Sequence, residues 1–580
     1  MPFYSAKSNF FLRESKDFIL QKYGDRLHET IVLVPNVYAA NQLSKCFISN
    51  REKTGLIPKI IPLEEIKIVS DSIVSLDKSE LAHYFEQQLI IANILVASSY
   101  YNFNARQSLD LSKSILVLLH EFIKSRREPQ DLANLNCEHF LQLDVLAAFF
   151  QDVKDKWMNE LSKNFVSDVV QLCVENCQKL SSLIKEGRLS SHLILVDIDS
   201  TFAYELAQNM HNAGFDILVA SFHQETERFS ADFYNLLKMC DATPHDVPDI
   251  VTQECGSESQ TLKPVLSYQV FLNEIKELNF IIDLLLSKTQ EKDCSNVAVV
   301  IDDLETTHTL VSTLKGYEIS VKNLVGLSLS RNIAIDFLLL IGKLQSENAL
   351  VKDLIALLQH SYFEKEIGER FEHFIIERGL ILQSLQDVIS LLKGQCSEIY
   401  QICVKAFFFE KELLFCNLLT EHLKAAQLLF PGIWMCREYL LVQEYLSNLL
   451  TAARHFAVTT GDAYCDILTR LLQGKFYENS SEEFKVTILS PKDVIFLESQ
   501  FVIVPNFHDE SWPSLGDSDI WLSRSIRSEL GLSDVRSDQL ERYRCYFATV
   551  CNFPKVLFTR SSKMAGKETI ESRFLSKIYS

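Results

Sequence analysis

The sequence is poor in residues that form tight turns, and it lacks several short motifs that mark catalytic or metal-binding proteins. Its 580 residues include only 17 glycines and 13 prolines, which predicts few tight loops and much helix. The 14 cysteines are scattered without a CxxC pair, and no HExxH occurs. These absences exclude zinc fingers and HExxH metalloproteases, and we interpret the cysteines as reduced, mostly buried thiols.

Positive charge is also scarce. The formal net charge is −19, so a whole-molecule positive field for nucleic acid is absent. Any DNA contact has to come from a local basic groove or from a partner of complementary charge. Hydrophobic residues make up 47% and charged residues 23%, which is typical of globular proteins. At this length we expect two to four compact units.

The sequence does not show the signals that are typical of secretion or membrane insertion. The N-terminal segment Met1–Phe11 does not have the layout of a signal peptide. Even the apolar segment Asn332–Gly342 is interrupted by Asp336, and no uncharged apolar run reaches membrane-spanning length. We therefore expect a soluble cytoplasmic protein without a membrane partner.

Short apolar runs and long helical stretches alternate along the chain, a pattern that predicts an α/β protein. The predicted strands of the first half are residues 31–34, 59–62, 193–197 and 216–220. Those of the second half are residues 296–301, two runs between 486 and 504, and 555–560. Apolar residues three and four apart predict helical inserts at about 75–188 and about 332–478.

The polar, proline-containing segment 243–264 is the best linker candidate. It divides the chain into a first domain, 1–242, and a second domain, 265–580, each interrupted by one helical insert. Superfamily 1 helicases have this plan, whereas ordinary doubly wound enzymes do not. No internal sequence repeat is visible.

The loop after the first apolar run does not have the composition of a nucleotide site. An ATPase of that class holds phosphates with a glycine-rich loop, a lysine, and a serine or threonine that binds Mg²⁺. Here the run leads into Pro35 and Asn36, and residues 35–42 contain no glycine, lysine, serine or threonine. Pro35 also lacks an N–H donor. We therefore expect no ATP hydrolysis by this chain.

Two acidic residues, Asp197 and Asp199, follow the strand at 193–196. One interpretation is the remnant of a Mg²⁺-holding pair. The other, favoured because the phosphate loop is missing, is a strand end where Asp199 or Ser200 caps the next helix. An arginine for the γ-phosphate is missing too, because Arg542 and Arg544 come a turn or more too early in the last helix.

Several segments resemble the AddB subunits of AddAB helicase–nucleases, in their alphaproteobacterial form. Asn506–Pro513 resembles the family's Gly-Leu-Asn-Glu-Gly-Val-Trp-Pro, and Asp519–Arg527 resembles Asp-Pro-Trp-Leu-Ser-Arg-Pro-Met-Arg. Ser572–Leu575 resembles Ser-Arg-Trp-Leu. Near the other end, Val32–Pro35 and Leu56–Leu63 resemble Leu-Val-Pro and Leu-Leu-Pro-Arg-Ile-Arg-Pro-Leu. The match runs from end to end but is loose in both helical inserts.

The resemblance implies two degenerate RecA-like superfamily 1 motor domains that do not power unwinding. It implies a heterodimer with an AddA-like helicase–nuclease subunit, acting on DNA ends or single-stranded DNA in double-strand break repair and associated with the nucleoid. In the family a PD-(D/E)xK nuclease domain with an iron–sulfur cluster follows, and its triad and clustered cysteines are not found in this sequence. ATP with Mg²⁺ and the cluster are therefore expected in the partner or in that domain, with no cofactor in this chain.

Seven residues are candidates for DNA contacts. Trp512 and Trp521 would stack on unpaired bases, or instead pin their loop onto the sheet. Lys492 lies in a loop where related helicases contact the DNA backbone. Four arginines would line a strand groove or pair with acids such as Glu529 and Glu571: Arg524, Arg527, Arg560 and Arg573.

Other positions depart from the family and weaken the expected grip on DNA. Val37, Tyr38 and Gln500 stand where the family has arginine, and these side chains cannot make its phosphate contacts. Two alternatives therefore remain open beside the scaffold and DNA-strand channel of a repair complex. One is a helical protein–protein adaptor without a DNA role, and the other is a non-functional fragment of a split gene.

Overall fold

We analysed a computed structural model of the chain. It describes residues 3–7, 11–49, 57–69, 72–75, 81–98, 103–135, 143–164, 166–188, 192–197, 204–221, 264–290, 297–346, 348–406, 413–456, 458–459, 461–472, 476–477, 485–497, 499–514, 519–532 and 535–575. Asp199 and the predicted linker, apart from Pro264, lie outside the described residues.

The described part of the first half contains seven strands and seven α-helices. The strands are β1 (Phe3–Lys7), β2 (Thr30–Val34), β3 (Lys59–Pro62), β4 (Ile66–Val69), β5 (Ser72–Ser75), β6 (His192–Val196) and β7 (Asp216–Ser221). The helices are α1 (Phe11–Tyr23), α2 (Val37–Ser49), α3 (Tyr84–Ala97), α4 (Ala105–Lys124), α5 (Leu143–Lys163), α6 (Val169–Lys185) and α7 (Tyr204–Asn212).

Five of these strands form a parallel sheet in the order β1-β7-β6-β2-β3. Side chains alternate across it. Val32 and Val34 of β2 pack with α1 and α2 on one face, while Ile31 and Leu33 pack with α6 and α7 on the other. Burial on both faces of the sheet explains why the sequence of β2 is a nearly continuous apolar run. The antiparallel hairpin β4-β5 lies beside this sheet, against α6.

The described part of the second half has twelve strands. They are β8 (Val265–Phe271), β9 (Val297–Val300), β10 (Val321–Asn323), β11 (Leu327–Ser328), β12 (Leu413–Leu414), β13 (Val458–Thr459), β14 (Phe476–Tyr477), β15 (Val486–Leu489), β16 (Phe501–Val504), β17 (Lys555–Ser561), β18 (Lys563–Met564) and β19 (Lys567–Glu568).

Thirteen α-helices accompany those strands within the described residues. They are α8 (Glu274–Gln290), α9 (Leu304–Gly316), α10 (Ile333–Leu344), α11 (Val351–Leu358), α12 (Lys365–Arg378), α13 (Leu385–Gln395), α14 (Ser397–Ala406), α15 (Phe415–Leu429), α16 (Arg437–Leu440), α17 (Gln443–Ala452), α18 (Gly461–Leu472), α19 (Arg524–Leu530) and α20 (Val535–Cys551). None of the described helices is both long and apolar enough to cross a membrane.

The second sheet is also parallel, with six strands in the order β10-β15-β9-β16-β17-β8. Without β15, the strands of the second sheet have the same order as those of the first. In each sheet, the strand that comes first along the chain lies at an edge. Beside it lies the last strand along the chain, and then the second-last and the second. The difference is β15, which lies between the second strand, β9, and the third, β10. The chain therefore repeats one topology, although its sequence shows no repeat.

The helical inserts pack on each other as well as on their own sheets. Helix α3 contacts α17, and α4 contacts α18. Phe85 and Leu89 of α3 belong to the same buried core as Leu449 of α17 and Ile467 of α18. His455 and Glu86 face each other across this contact, 3.0 Å apart. The two predicted units therefore share a core through their inserts.

Sequence patterns predicted the α/β class and the central strands of both sheets. They missed β1 and β8, which lie at sheet edges. Both edge strands mix polar and apolar residues, because an edge strand lacks a neighbour on one side. The patterns also missed the short strand β10 and the hairpin β4-β5.

Candidate functional site

The carboxyl ends of β2 and β6 form the first place where a ligand would bind. These strands are neighbours, yet the chain leaves β2 toward β3 at one edge and leaves β6 toward β7 on the other side. Such reversals open a crevice in α/β sheets, and ligands bind there. Because Leu33 pairs with Leu195, Pro35 and Asp197 lie side by side at this point. The structure thus brings together the predicted residues Pro35, Asn36 and Asp197.

The connection from β2 to α2 is too short to hold a phosphate. Only Pro35 and Asn36 separate the strand from the helix. The Asn36 side-chain oxygen accepts a hydrogen bond from the Ala39 N–H at 2.9 Å, so the carboxamide occupies the position where an anion would meet the helix N-terminus. Ala39 and Leu43 of α2 are buried against the sheet. Pro35 and Asn36 therefore do not fit the phosphates of a nucleoside triphosphate.

Asp197 has the left-handed backbone conformation, with φ of 58°. Its N–H donates to the Leu218 carbonyl of β7 at 2.8 Å, and the residue is nearly buried. A non-glycine residue in this conformation is uncommon, and aspartate tolerates it better than most. The arrangement is that of a strand end tied to its neighbour.

Aromatic side chains join the two halves of the chain beside this crevice. Phe496 belongs to the 3₁₀ helix Pro491–Phe496, which follows β15 of the second sheet. It is buried in the core formed by α1 and α2, with ring centres 6.3 Å from Phe11 and 6.4 Å from Tyr38. Lys322 of β10 lies over the Tyr38 ring at 5.8 Å. Burial and the Asp493 carboxylate raise the pKa of Tyr38.

The tryptophans predicted to stack on bases are engaged inside the protein. Trp512 is 2% exposed and packs against Phe507 and Tyr543 in the core of the second sheet. The indole N–H of Trp521 donates to the Ser114 hydroxyl of α4 at 3.0 Å, and its ring packs on Phe150 of α5. Trp512 pins its loop onto the second sheet, which is the alternative that the sequence left open. Trp521 instead packs on the helices of the first insert and not on a sheet.

Arg527 holds the segment after Trp521 against the first insert. Its guanidinium lies 2.7 Å from Glu121 of α4 and 2.5 Å from Asp519, and the residue is 3% exposed. Ile526 and Leu530 of the same helix join the core of α3, α4 and α5. The segment 519–532 is called the latch below, because it connects the second half to the insert of the first.

The remaining arginines differ in their contacts. Arg560 is buried, donates to Tyr268 and Thr569, and pairs with Glu571 at 3.1 Å. Arg573 is more exposed and holds both carboxylate oxygens of Asp509, at 2.8 and 2.9 Å. This pair lowers the pKa of Asp509.

Lys492 and Arg524 are also exposed. Lys492 is exposed in the 3₁₀ helix after β15. Arg524 is exposed at the first position of α19. The structure does not bring the seven residues together on one surface, since Trp521 and Arg527 lie on the first insert while Trp512 and Arg560 belong to the second sheet.

The second sheet has its own crevice between β9 and β16. The chain leaves β9 toward β10 and leaves β16 toward β17, in opposite directions. A cavity of about 160 Å³ opens there. Its polar lining comes from the two loops that follow these strands: Asp302, Asp303, Asn506, Glu510, Ser511 and Ser514. This crevice corresponds in topology to the one that holds Asp197.

A buried carboxylate supports the loop after β16. Glu277 of α8 is 2% exposed, and one of its oxygens accepts from the Asn506 N–H at 2.9 Å and the Thr559 hydroxyl at 2.6 Å. Its other oxygen has no hydrogen-bond partner within the described part of the chain. Asn506 is left-handed, with φ of 53°. Burial lowers the pKa of the neighbouring His508.

Sequence reasoning missed Glu277, Asp302 and Asn506 as residues of one site. Asp302 and Asp303 follow an apolar run just as Asp197 does, and that repeated pattern was a usable signal. Glu277 carried no signal, because only the packing of α8 on the sheet brings it to Asn506. Among the described residues, no group of three or more His, Cys, Asp or Glu side chains is placed to hold a metal ion.

Comparison with known proteins finds distant relatives. No protein-family model matches the chain. The chain is 20% identical over 576 residues to an uncharacterized protein of Rickettsia felis, covering 98% of this chain and 60% of the relative. An uncharacterized protein of Rickettsia conorii is also 20% identical over 576 residues, with 98% and 61% covered. The chain thus spans about 60% of the length of these relatives.

Proposed function

We propose that this chain is a subunit of a heterodimeric helicase–nuclease that processes DNA double-strand ends for recombinational repair. In that complex it is a scaffold and a channel for a DNA strand, and it does not hydrolyse ATP. Its two sheets are degenerate RecA-like motor domains of superfamily 1, and its partner is an AddA-like subunit of the bacterial cytoplasm. The resemblance in the C-terminal hundred residues motivates the proposal.

The two-residue turn at Pro35 and Asn36 is the observation that carries the non-ATPase part. It occupies the crevice where a motor grips its nucleotide, and Asn36 already satisfies the helix N-terminus. The repeated strand order supports a pair of motor-like domains, because a motor of this class has two. The Phe496–Tyr38 contact supports a fixed, rather than a cycling, arrangement of the two sheets.

The internal contacts of the candidate DNA-binding residues favour a second function, a helical protein–protein adaptor. Trp512, Arg527 and Arg560 are buried and partnered within the chain, so they are not available to a DNA strand in this conformation. The net charge of −19 also disfavours a DNA role without a partner.

An affinity purification of the tagged full chain from its native lysate separates these functions. Recovery of a large superfamily 1 ATPase with nuclease activity is expected, and its consistent absence would favour the adaptor. The purified complex should hydrolyse ATP in response to DNA ends. Replacing Asp197 by alanine should leave that rate unchanged, provided that the variant still binds the partner.

The same Asp197→Ala variant tests the non-ATPase role of the chain by itself. The isolated chain should show no nucleotide hydrolysis above the buffer rate. Hydrolysis that disappears in the variant would refute the proposal, because it would assign a working site to the first crevice.

A further inference from the structure

The strand β8 forms one edge of the second sheet, and no described strand pairs with its outer side. Its first and last residues, Val265 and Phe271, make backbone hydrogen bonds of 2.9 and 2.7 Å on the side of β17. Backbone groups alternate between the two sides of a strand, so the N–H and C=O groups of Leu266 and Val270 point away from β17. They form a row to which another extended chain can hydrogen-bond.

The sequence of β8 lacks the features that protect an exposed edge. Natural edge strands carry charged residues or proline, are very short, or are covered by another element. The seven residues of β8 include no charged residue and no proline. Val265 and Val270 are exposed within the strand, at 60% and 46%. Leu272 and Ile275 are exposed just beyond its end. An uncharged and partly apolar edge of this length fits a strand supplied by a partner.

Lysines lie beside both ends of this edge. Lys555 of β17 is the register partner of Val265, at the start of β8. The hairpin β18-β19 follows β17 beside the other end of β8, and it carries Lys563 and Lys567. All three lysines are exposed, and none of them forms an ion pair with another described residue. Their charge is therefore available to a partner.

The surroundings of the edge are basic although the chain as a whole has a net charge of −19. Lys276, in α8, is a further exposed lysine close to the end of β8. Two carboxylates lie among these lysines. Glu274 accepts from the Ala565 N–H at 3.3 Å, and Glu568 is the register partner of Lys563. Because the lysines outnumber these acids, an acidic segment is complementary to this surface.

We propose that the outer edge of β8 binds an extended segment of a partner protein, which adds a strand to the second sheet. The segment has alternating apolar residues and an acidic residue at each end, one facing Lys555 and the other facing Lys563. Main-chain hydrogen bonds to Leu266 and Val270 hold the segment, and the charges at its ends select the partner. A nucleic acid would meet the lysines too, but its phosphates have no donors for the strand's carbonyl groups. The inference goes beyond the proposed function, because it holds whether or not the partner is an ATPase.

Fluorescence anisotropy of labelled peptides, titrated with the full chain, tests the site. The first probe is fluorescein-Asp-Glu-Val-Thr-Val-Thr-Val-Asp-Glu-amide. The second has the same sequence with N-methyl groups on its valines and threonines, which remove the main-chain donors, and the third has lysine in place of every acidic residue. We expect the first probe to bind with a dissociation constant on the order of 10⁻⁴ M, and the other two at least about tenfold more weakly.

Variants of the chain test the backbone and the charge contributions separately. Val270→Pro removes a donor on the outer side of β8, where proline is tolerated, and should raise the dissociation constant of the first probe about tenfold. Lys563→Gln should raise it about threefold. The methylated peptide probes the same main-chain contact without any change to the protein.

Lys352→Gln is the matched control, since it removes the same charge from the exposed surface of α11. It should leave the dissociation constant unchanged. Equal binding of the methylated peptide, or equal weakening by Lys352→Gln and Lys563→Gln, would overturn the proposal. No binding of the first probe at about 1 mM protein would do the same. Displacement of this probe by oligodeoxythymidylate, with an affinity that depends on Lys563 but not on Val270→Pro, would assign the surface to nucleic acid and refute a protein partner.

Discussion

At the scale of single residues, side-chain chemistry distinguishes the two crevices and a left-handed backbone position is common to both. Asn36 caps the N-terminus of α2, whereas Asp302, Asp303 and Glu510 line the cavity near β9. Asp197 directly follows β6, Asn506 comes two residues after the equivalent strand β16, and both adopt left-handed backbone conformations. Such positions cost about 1–3 kcal/mol each and cluster at sites. The same backbone feature thus marks both crevices, although their side chains differ in chemistry.

Arg527 should stabilise the fold rather than bind DNA. Replacing it with alanine leaves Glu121 and Asp519 without their cation at a buried position, so we expect a loss of about 3 kcal/mol in the free energy of unfolding. Urea denaturation followed by circular dichroism measures this change. Arg524→Ala, on the exposed face of the same helix, should cost less than about 1 kcal/mol. Unchanged stability of Arg527→Ala together with weaker DNA binding by the partner complex would restore the DNA-contact hypothesis.

At the scale of elements, a fully buried histidine ties three helices of the second insert together. His422 of α15 lies 2.7 Å from the Tyr464 hydroxyl of α18 and 2.8 Å from the Leu338 carbonyl of α10. Because the carbonyl can only accept, Nε2 carries the proton and Nδ1 accepts from the tyrosine. Burial lowers the pKa of His422 to about 4. The helices are therefore joined by a neutral imidazole.

Acidification should weaken this junction. Between about pH 6.5 and 4 the unfolded chain binds a proton at His422 that the folded chain excludes, so the free energy of unfolding falls as the pH falls, by about 3 kcal/mol at pH 4. Above about pH 6.5 this contribution is fully present. Denaturant titrations at several pH values in that range give the free energy of unfolding as a function of pH. The slope of this free energy against pH should be smaller for His422→Gln than for the unmodified chain. Identical slopes would show that the other histidines, and not His422, determine the pH dependence.

At the scale of the whole molecule, the two halves are held together by their inserts, the latch and the Phe496 contact. Leu89 of α3 lies in a core that also contains Leu449 and Ile467 of the second insert. The halves are therefore expected to lose structure together. A protein of this construction would give one cooperative unfolding transition rather than two.

Leu89→Ala tests this coupling. The cavity left by the substitution should lower the free energy of unfolding by about 2–5 kcal/mol. Hydrogen exchange followed by mass spectrometry should become faster in α17 and α18 of the second insert as well as in α3. Val117→Ala on the exposed surface of α4 should change neither quantity. Faster exchange confined to the first half would show that the two cores are independent.

The sequence by itself determined the α/β class, the central strands and the missing phosphate loop, because those features depend on local chemistry. Ile31 to Val34 must be buried on both faces wherever they fold, and a loop without glycine or lysine cannot hold a triphosphate in any fold. The charged and aromatic candidates near the C-terminus were also visible in the sequence, but their partners were not.

Only the tertiary structure decided which of those candidates are buried and which crevice is open. Arg527 meets Glu121, and Glu277 meets Asn506, across separations of 406 and 229 residues along the chain. The repeated strand order is likewise a property of the sheets, since it depends on hydrogen bonds between distant strands and not on side-chain identity. Local patterns specify which residues must be buried, but the packing of distant elements determines which side chains come together there.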